Sequence, residues 1–139
     1  MRVRPSLPEF TFRLALPVLL ALSACGRRPG LRPFTTDGCT LFPDSSRGHD
    51  WHQCCREHDY KYWQGGTKAD RRQADRDLRN CVASAGRPKL ATLMLLGVRA
   101  GGTPYLPTYF RWGYGWPYLR GYGPLLDEEK KLVDGSPRP

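Results

Sequence analysis

His58 is the residue whose chemistry stands out first, because an imidazole exchanges a proton near neutral pH. It lies four residues, about 6 Å along a helix, beyond Cys54. Asp75 lies six residues, about 9 Å, before Cys81. If the two cysteines join antiparallel helices, His58 and Asp75 should meet, and the carboxylate would orient the imidazole as a general base. The alternative is a histidine on the surface or in the core that takes part in no chemistry.

Two helices are predicted to position these side chains. The first presents one face at spacings of three, four and seven and ends at Gly65-Gly66. That face consists of Trp51, Cys54, Cys55, His58 and Tyr62. The second is capped by Thr67, carries Asp70 in its first turn, and stops at Gly86 and Pro88. Its apolar or small face consists of Ala74, Leu78, Cys81, Val82 and Ala85.

The rest of the chain is less regular. Residues 90–100 form a short apolar segment, predicted to be a covering helix rather than a membrane span. Residues 101–124 hold six Gly, four Pro and eight aromatics, which excludes a long helix. The aromatic stretch 105–122 suits a membrane interface, and a flexible or partner-packed tail is the alternative. We therefore predict a mainly α fold, with a domain at 37–100 and a C-terminal segment at 101–139.

Residues 1–24 are predicted to be a signal peptide. A basic start precedes a nine-residue apolar run at 14–22, which is too short to span a bilayer. Residues 22–25 (LSAC) resemble the lipobox of bacterial lipoproteins, which implies lipidation of Cys25. That resemblance places the protein in the bacterial cell envelope, lipid-anchored at the outer membrane and facing the periplasm. An ordinary secretory signal with a chance cysteine is the alternative, and residues 25–36 are predicted to be a tether.

The net charge of +9 indicates an anionic partner. Nucleic acid and an acidic membrane surface both fit that charge, and an exported protein meets only the second. We therefore expect a membrane surface and no nucleic acid, while protein partners remain open.

Four cysteines are left once Cys25 is set aside. In a small exported domain an even set is typical of disulfides, and adjacent Cys54 and Cys55 do not easily bond to each other. Two pairings with Cys39 and Cys81 then remain. Zinc bound by these cysteines with His49, His52 or His58 is the alternative, and it suits a reducing compartment.

Three segments together resemble the secreted phospholipases A2. Residues 54–62 (CCREHDYKY) are similar to the CCxxHDxxxY helix of that superfamily. Residues 37–44 (DGCTLFPD) resemble the calcium loop of its bacterial and fungal members, and Cys39 precedes Cys55 by the family spacing of sixteen. Residues 75–81 (DRDLRNC) resemble its second long helix, in which an aspartate precedes a cysteine by six.

The resemblance implies a fold, a cofactor and an activity. The fold is two antiparallel helices linked by disulfides, with a calcium loop before them; the pairs are Cys39–Cys55 and Cys54–Cys81. Ca2+ would be held by Asp37, the carbonyl of Gly38, and Asp59. His58 and Asp75 would be catalytic with Tyr62, which either bonds the aspartate or only packs. The implied activity is hydrolysis of the sn-2 ester of a glycerophospholipid.

The sequence also departs from the superfamily. It has no obvious helix before the loop, and it lacks the glycine-rich loop of the animal enzymes. A second class of function therefore stays open: a catalytically weak phospholipase-like module that binds membranes or another envelope protein.

Overall fold

The computed structural model describes residues 30–139. The predicted signal peptide and the predicted lipidation site at Cys25 lie outside the described residues. The described part is mainly helical, as predicted, with four helices and a two-stranded antiparallel sheet. The strands are β1 (Ser45–Ser46) and β2 (His49–Asp50), which the sequence did not predict. Within this part of the chain, no helix is long and apolar enough to cross a membrane.

Helix α1 (His52–Gln64) is bounded by Asp50 before its first residue and by Gly65 after its last. Its first amide, that of His52, donates to Asp50 Oδ1 at 2.8 Å and so gains an acceptor that the helix itself lacks. Gly65 ends the helix at φ 70°, a conformation that favours glycine. A Cβ at this position would also lie 3.0 Å from the Cα of Gly113, so the close approach of a second segment requires glycine here.

Helix α2 (Lys68–Ser84) runs antiparallel to α1. Thr67 and Asp70 form a capping box that satisfies two amides at its start. Two ties between the helices define their direction: the Cys54–Cys81 disulfide and the contact of His58 with Asp75. Going from the disulfide to the His58–Asp75 contact, residue numbers rise along α1 and fall along α2. The two helices are therefore antiparallel, as predicted. Cys39–Cys55 is the second disulfide, so both predicted pairs are confirmed.

Helix α3 (Pro88–Gly101) folds back along α2 after a short turn. Pro88 occupies its first position, where a missing N–H matters least. The main core lies between these helices and the loop before α1. It consists of Cys39, Trp51, Cys54, Cys55, Leu78, Val82, Ala91 and Met94.

The C-terminal segment packs against the end of α1 and is neither extended nor detached. Amides of Gly113 and Gly115 donate to the carbonyls of Tyr62 and Trp63, at 2.6 and 3.2 Å. The indole of Trp116 donates to the carbonyl of Gln64 at 2.7 Å. The segment therefore supplies donors to carbonyls in the last turn of α1, which a helix end does not fully satisfy.

A second core forms on the side of α1 that the sequence pattern left unassigned. It contains Tyr60, Trp63, Trp116 and Val133. Val133 belongs to α4 (Asp127–Asp134), a helix that the sequence analysis did not predict. The first helix is thus buried on two sides, where its periodicity predicted one.

Candidate active site

His58 and Asp75 meet between α1 and α2, as their spacing predicted. His58 Nε2 lies 3.3 Å from Asp75 Oδ1, and the two residues are 7% and 0% exposed. With Nε2–H donated to the carboxylate, Nδ1 carries the lone pair. The arrangement is that of a general base with an orienting carboxylate.

The surroundings favour a neutral imidazole beside an ionised carboxylate. Burial lowers the pKa of His58, and the hydrogen bond that His58 donates to Asp75 opposes that shift only in part. Burial alone would raise the pKa of Asp75, but hydrogen bonds from His58 and Tyr62 hold it below its usual value. A neutral His58 is therefore ready to accept a proton near neutral pH.

Tyr62 and Arg99 complete the environment of the Asp75 carboxylate. The hydroxyl of Tyr62 donates to Oδ1 at 2.7 Å, so this tyrosine bonds the aspartate and does not merely pack. Arg99 Nε lies 2.6 Å from Oδ2 and forms an ion pair that lacks a well-directed hydrogen bond. The carboxylate thus has partners on both oxygens, which fixes its orientation toward His58.

Arg71 ties this group to the rest of the molecule. Its Nε donates to the hydroxyl of Tyr62 at 3.1 Å, and one Nη donates to the hydroxyl of Tyr122 at 2.7 Å. The other Nη donates to the carbonyls of Val98 and Arg99 near the end of α3, at 2.7 and 3.0 Å. One buried guanidinium therefore joins α1, α2, α3 and the C-terminal segment.

The sequence pattern did not single out Arg71 or Arg99 as residues of this site. Arg71 carries a usable signal, because it lies one helical turn before Asp75, on the same buried face as Ala74 and Leu78. A charged residue on an apolar face calls for a partner. Arg99 carries no such signal, since its side chain is 39% exposed and reaches Asp75 from another helix.

Asp37 and Asp59 line one cavity together with Tyr109 and Tyr114, and Asp59 directly follows His58 in the chain. Thr36 Oγ1 donates to Asp59 Oδ2 at 2.6 Å, and the hydroxyl of Tyr109 lies 3.4 Å from Asp37 Oδ2. Burial raises the pKa of Asp59 to about 7, and the nearby charge of Asp37 contributes to that rise. A carboxylate in this state is poorly compensated by its neighbours.

Gly38 and Cys39 hold the loop that brings Asp37 to this cavity. The Cys39–Cys55 disulfide fixes the loop to α1. Gly38 has φ 76°, and a Cβ there would lie 2.5 Å from Asp44 Oδ1. That same oxygen accepts the amide of Cys39 at 2.9 Å. The turn is therefore shaped around Asp44 and requires glycine.

The donors at this cavity fit calcium better than a transition metal. Both carboxylates are oxygen donors, and residues 30–139 hold no ion-pair partner for either one. Across the same residues, no group of three or more His, Cys, Asp or Glu side chains is arranged to hold a metal. A cation here would need backbone carbonyls such as that of Gly38, which calcium loops commonly supply.

An apolar cavity of about 170 Å³ opens beside His58 and Asp59. Its walls come from the loop, α2, α3 and the C-terminal segment. They include Phe42, Leu78, Met94, Val98 and Phe110. Leu41, also on the wall, is 90% exposed. His58 therefore borders a space suited to a hydrocarbon chain.

Comparisons with protein-family models, with curated proteins and with solved structures found no match to this chain.

Proposed function

We propose that this protein is a calcium-dependent phospholipase A2, which hydrolyses the sn-2 ester of glycerophospholipids. One observation carries the proposal: the buried His58–Asp75 pair opens onto an apolar cavity that also contains Asp59. The pair supplies a base, the cavity suits an acyl chain, and the neighbouring carboxylates suit a cation.

His58 Nδ1 takes a proton from a water molecule as the water oxygen attacks the ester carbonyl. Asp75 stabilises the imidazolium that forms, and Tyr62 and Arg99 keep the carboxylate ionised and oriented. His58 then returns the proton to the glycerol oxygen as the bond between that oxygen and the acyl carbon breaks. The products are a fatty acid and a lysophospholipid, with no covalent intermediate on the protein.

Asp37, Asp59 and the carbonyl of Gly38 are the groups that would hold calcium. When bound, calcium would supply positive charge to the ester oxygen as negative charge develops there. Calcium would also stabilise the ionised carboxylates, because its charge would offset both the cost of burying Asp59 and the repulsion between Asp59 and Asp37.

The proposed partner is a membrane surface, where the substrate resides. The excess of basic residues, which residues 25–139 retain, favours an anionic surface, and exposed Leu41 lies at the wall of the acyl cavity. With the lipobox-like residues 22–25, these features support a proposed location at the bacterial envelope, with an anchor at Cys25.

Fatty-acid release from phosphatidylcholine vesicles, with and without millimolar calcium, tests the activity. We expect release only with calcium, and we expect His58→Gln to reduce it by about 10²–10⁴-fold, because an amide cannot act as a base. His49→Gln is the matched control, since His49 is exposed in β2. Undiminished release by His58→Gln would contradict the proposed centre, and no release by the wild type would favour the binding module.

A further inference from the structure

A second cavity adjoins the one that contains Asp37 and Asp59. Thr35, Tyr109 and Tyr114 line both cavities, so they are neighbours. The second cavity has a volume of about 480 Å³ and is otherwise lined by Arg32, Arg111, Thr108, prolines and a third tyrosine, with no carboxylate. Two arginines therefore line one space that contains no acid.

Arg111 is buried without an acidic partner. It is 5% exposed, and among residues 30–139 it forms no ion pair. Its guanidinium donates to the carbonyls of Gly113 and Trp116, at 2.7 and 2.6 Å, and lies 5.6 Å from the ring centre of Tyr118. Carbonyl dipoles orient this charge but do not neutralise it.

Arg32 is held at the same cavity by its backbone. Its amide donates to the carbonyl of Gly115 at 2.8 Å, and its carbonyl accepts the indole N–H of Trp63 at 2.8 Å. Burial lowers the pKa of Arg111, and the nearby charge of Arg32 lowers it further. The fold therefore keeps two like charges close together, which is unfavourable unless an anion separates them.

Thr108 adds an unused donor. Its Oγ1 is buried and has no hydrogen-bond partner within the described part of the chain. Leaving a buried hydroxyl unpaired costs about 1–3 kcal/mol, so such a group calls for a ligand or a water. Thr108 lines the same cavity as Arg32 and Arg111, so an acceptor that carries negative charge suits all three residues.

We propose that this cavity binds a phosphate group between Arg32 and Arg111, with Thr108 as a third donor. Guanidinium groups match the charge and the oxygen geometry of phosphate, and tetrahedral phosphate offers acceptors in several directions. The group is either free phosphate or the second phosphate of a lipid headgroup. The lipid version rests on the proposed function, since the cavity adjoins Asp37 and Asp59.

Titration of the purified chain with inorganic phosphate, followed by calorimetry or NMR, tests the site directly. We expect Arg32→Gln to weaken binding about tenfold, which is typical of losing one charge-assisted hydrogen bond. Thr108→Val should weaken it severalfold, and both changes should preserve the fold, which near-UV circular dichroism checks. Arg79→Gln removes the same charge from an exposed site on α2 and should leave binding unchanged.

The same titration on His58→Gln separates this site from the proposed catalysis. That variant should bind phosphate as the wild type does, whatever its activity. Phosphate binding that is absent from the wild type, or equal in Arg32→Gln and the wild type, would overturn the proposal.

A second arm identifies the source of the phosphate. Vesicles of phosphatidylcholine are compared with vesicles that contain diphosphatidylglycerol, whose headgroup carries a second phosphate. For a lipid headgroup, Arg32→Gln should lower hydrolysis of the second lipid about tenfold more than that of the first. Equal effects on the two lipids, with phosphate binding still weakened by Arg32→Gln, would assign the site to free phosphate.

Discussion

Residues 37–86 and residues 101–126 reach similar burial by different means. The first region consists mainly of two periodic helices tied by two disulfides. The second has almost no regular structure, yet its Trp112 is 1% exposed, as is Trp51 of the first region. Each of these indoles donates to a backbone carbonyl, Trp51 to Pro43 at 2.7 Å and Trp112 to Gly66 at 2.9 Å. Core formation therefore does not require periodicity where aromatic N–H groups can satisfy the end of a neighbouring helix.

The second region also reaches the proposed catalytic pair. Tyr122 accepts from Arg71, Arg71 donates to Tyr62, and Tyr62 donates to Asp75. The aromatic segment is consequently linked by hydrogen bonds to Asp75, the partner of His58. Three substitutions and one change of pH test how these two regions, and α3 between them, support the proposed site.

Replacing Trp112 by alanine should have the largest effect on stability. We expect the free energy of unfolding to fall by about 3–5 kcal/mol, matching Trp51→Ala, because both changes empty a buried indole site. Urea unfolding followed by circular dichroism measures both. Leu119→Ala, at a side chain 66% exposed, should stay within about 0.5 kcal/mol. If Trp112→Ala lowered the free energy of unfolding only slightly and Trp51→Ala lowered it strongly, the second region would contribute little to the stability of the fold.

Arg99→Gln should lower kcat about tenfold and leave KM nearly unchanged. The substitution removes the charge that lies 2.6 Å from Asp75 Oδ2, so the carboxylate is held less firmly toward His58. Its effect on stability should be smaller, because Arg99 is 39% exposed and solvent screens the pair. Arg72→Gln, on the exposed face of α2, is the matched control. An increase in KM alone would instead indicate contact with substrate.

Calcium affinity should fall as the pH falls below about 7. Burial raises the pKa of Asp59 to about 7, so a proton competes with the cation below that pH and not above it. One displaced proton corresponds to a loss of up to about tenfold in affinity per pH unit. Calorimetry in buffers of different ionisation enthalpy measures both the affinity and the proton released. Equal affinity at pH 6 and pH 8 would show that Asp59 is not a ligand.

Tyr122→Phe should have the smallest effect. It removes the hydroxyl that accepts from Arg71, which is worth about 0.5–1.5 kcal/mol. We expect kcat to fall twofold to threefold through the shifted Arg71, with a slight loss of stability. Tyr105→Phe, at a ring 58% exposed, serves as the control. Unchanged kcat would separate the aromatic segment from the base.

The features that sequence could predict are those with a local cause. Gly65-Gly66 and the cap at Thr67 predicted the boundary between α1 and α2, and helical rise predicted that His58 lies opposite Asp75. The disulfide pairs came from the resemblance, since spacing alone left two pairings. The proposed cation site and activity remain predictions.

The features that sequence could not predict depend on distant contacts. Trp112 and Trp116 occur in a run without period, so nothing local indicates that their indoles reach the carbonyls of Gly66 and Gln64. Helix α4 is short, and the pairing of its Glu129 with Arg120 forms only when the chain folds back. Arg99 joins Asp75 across two helices, which a one-dimensional pattern does not record.

The Cys39–Cys55 disulfide should delay assembly of the proposed calcium site until the chain has left the reducing interior of the cell. It joins the loop of Asp37 to the helix of Asp59, and in the reducing interior of a cell both sulfurs would remain thiols. We expect the two carboxylates to be brought together only after oxidation, so a newly made chain would be dormant toward the membranes of the cell that synthesises it. Reduced protein refolded in dithiothreitol should bind calcium weakly and gain affinity on oxidation. Full calcium affinity in the reduced state would show that the disulfide is not needed to bring the two carboxylates together.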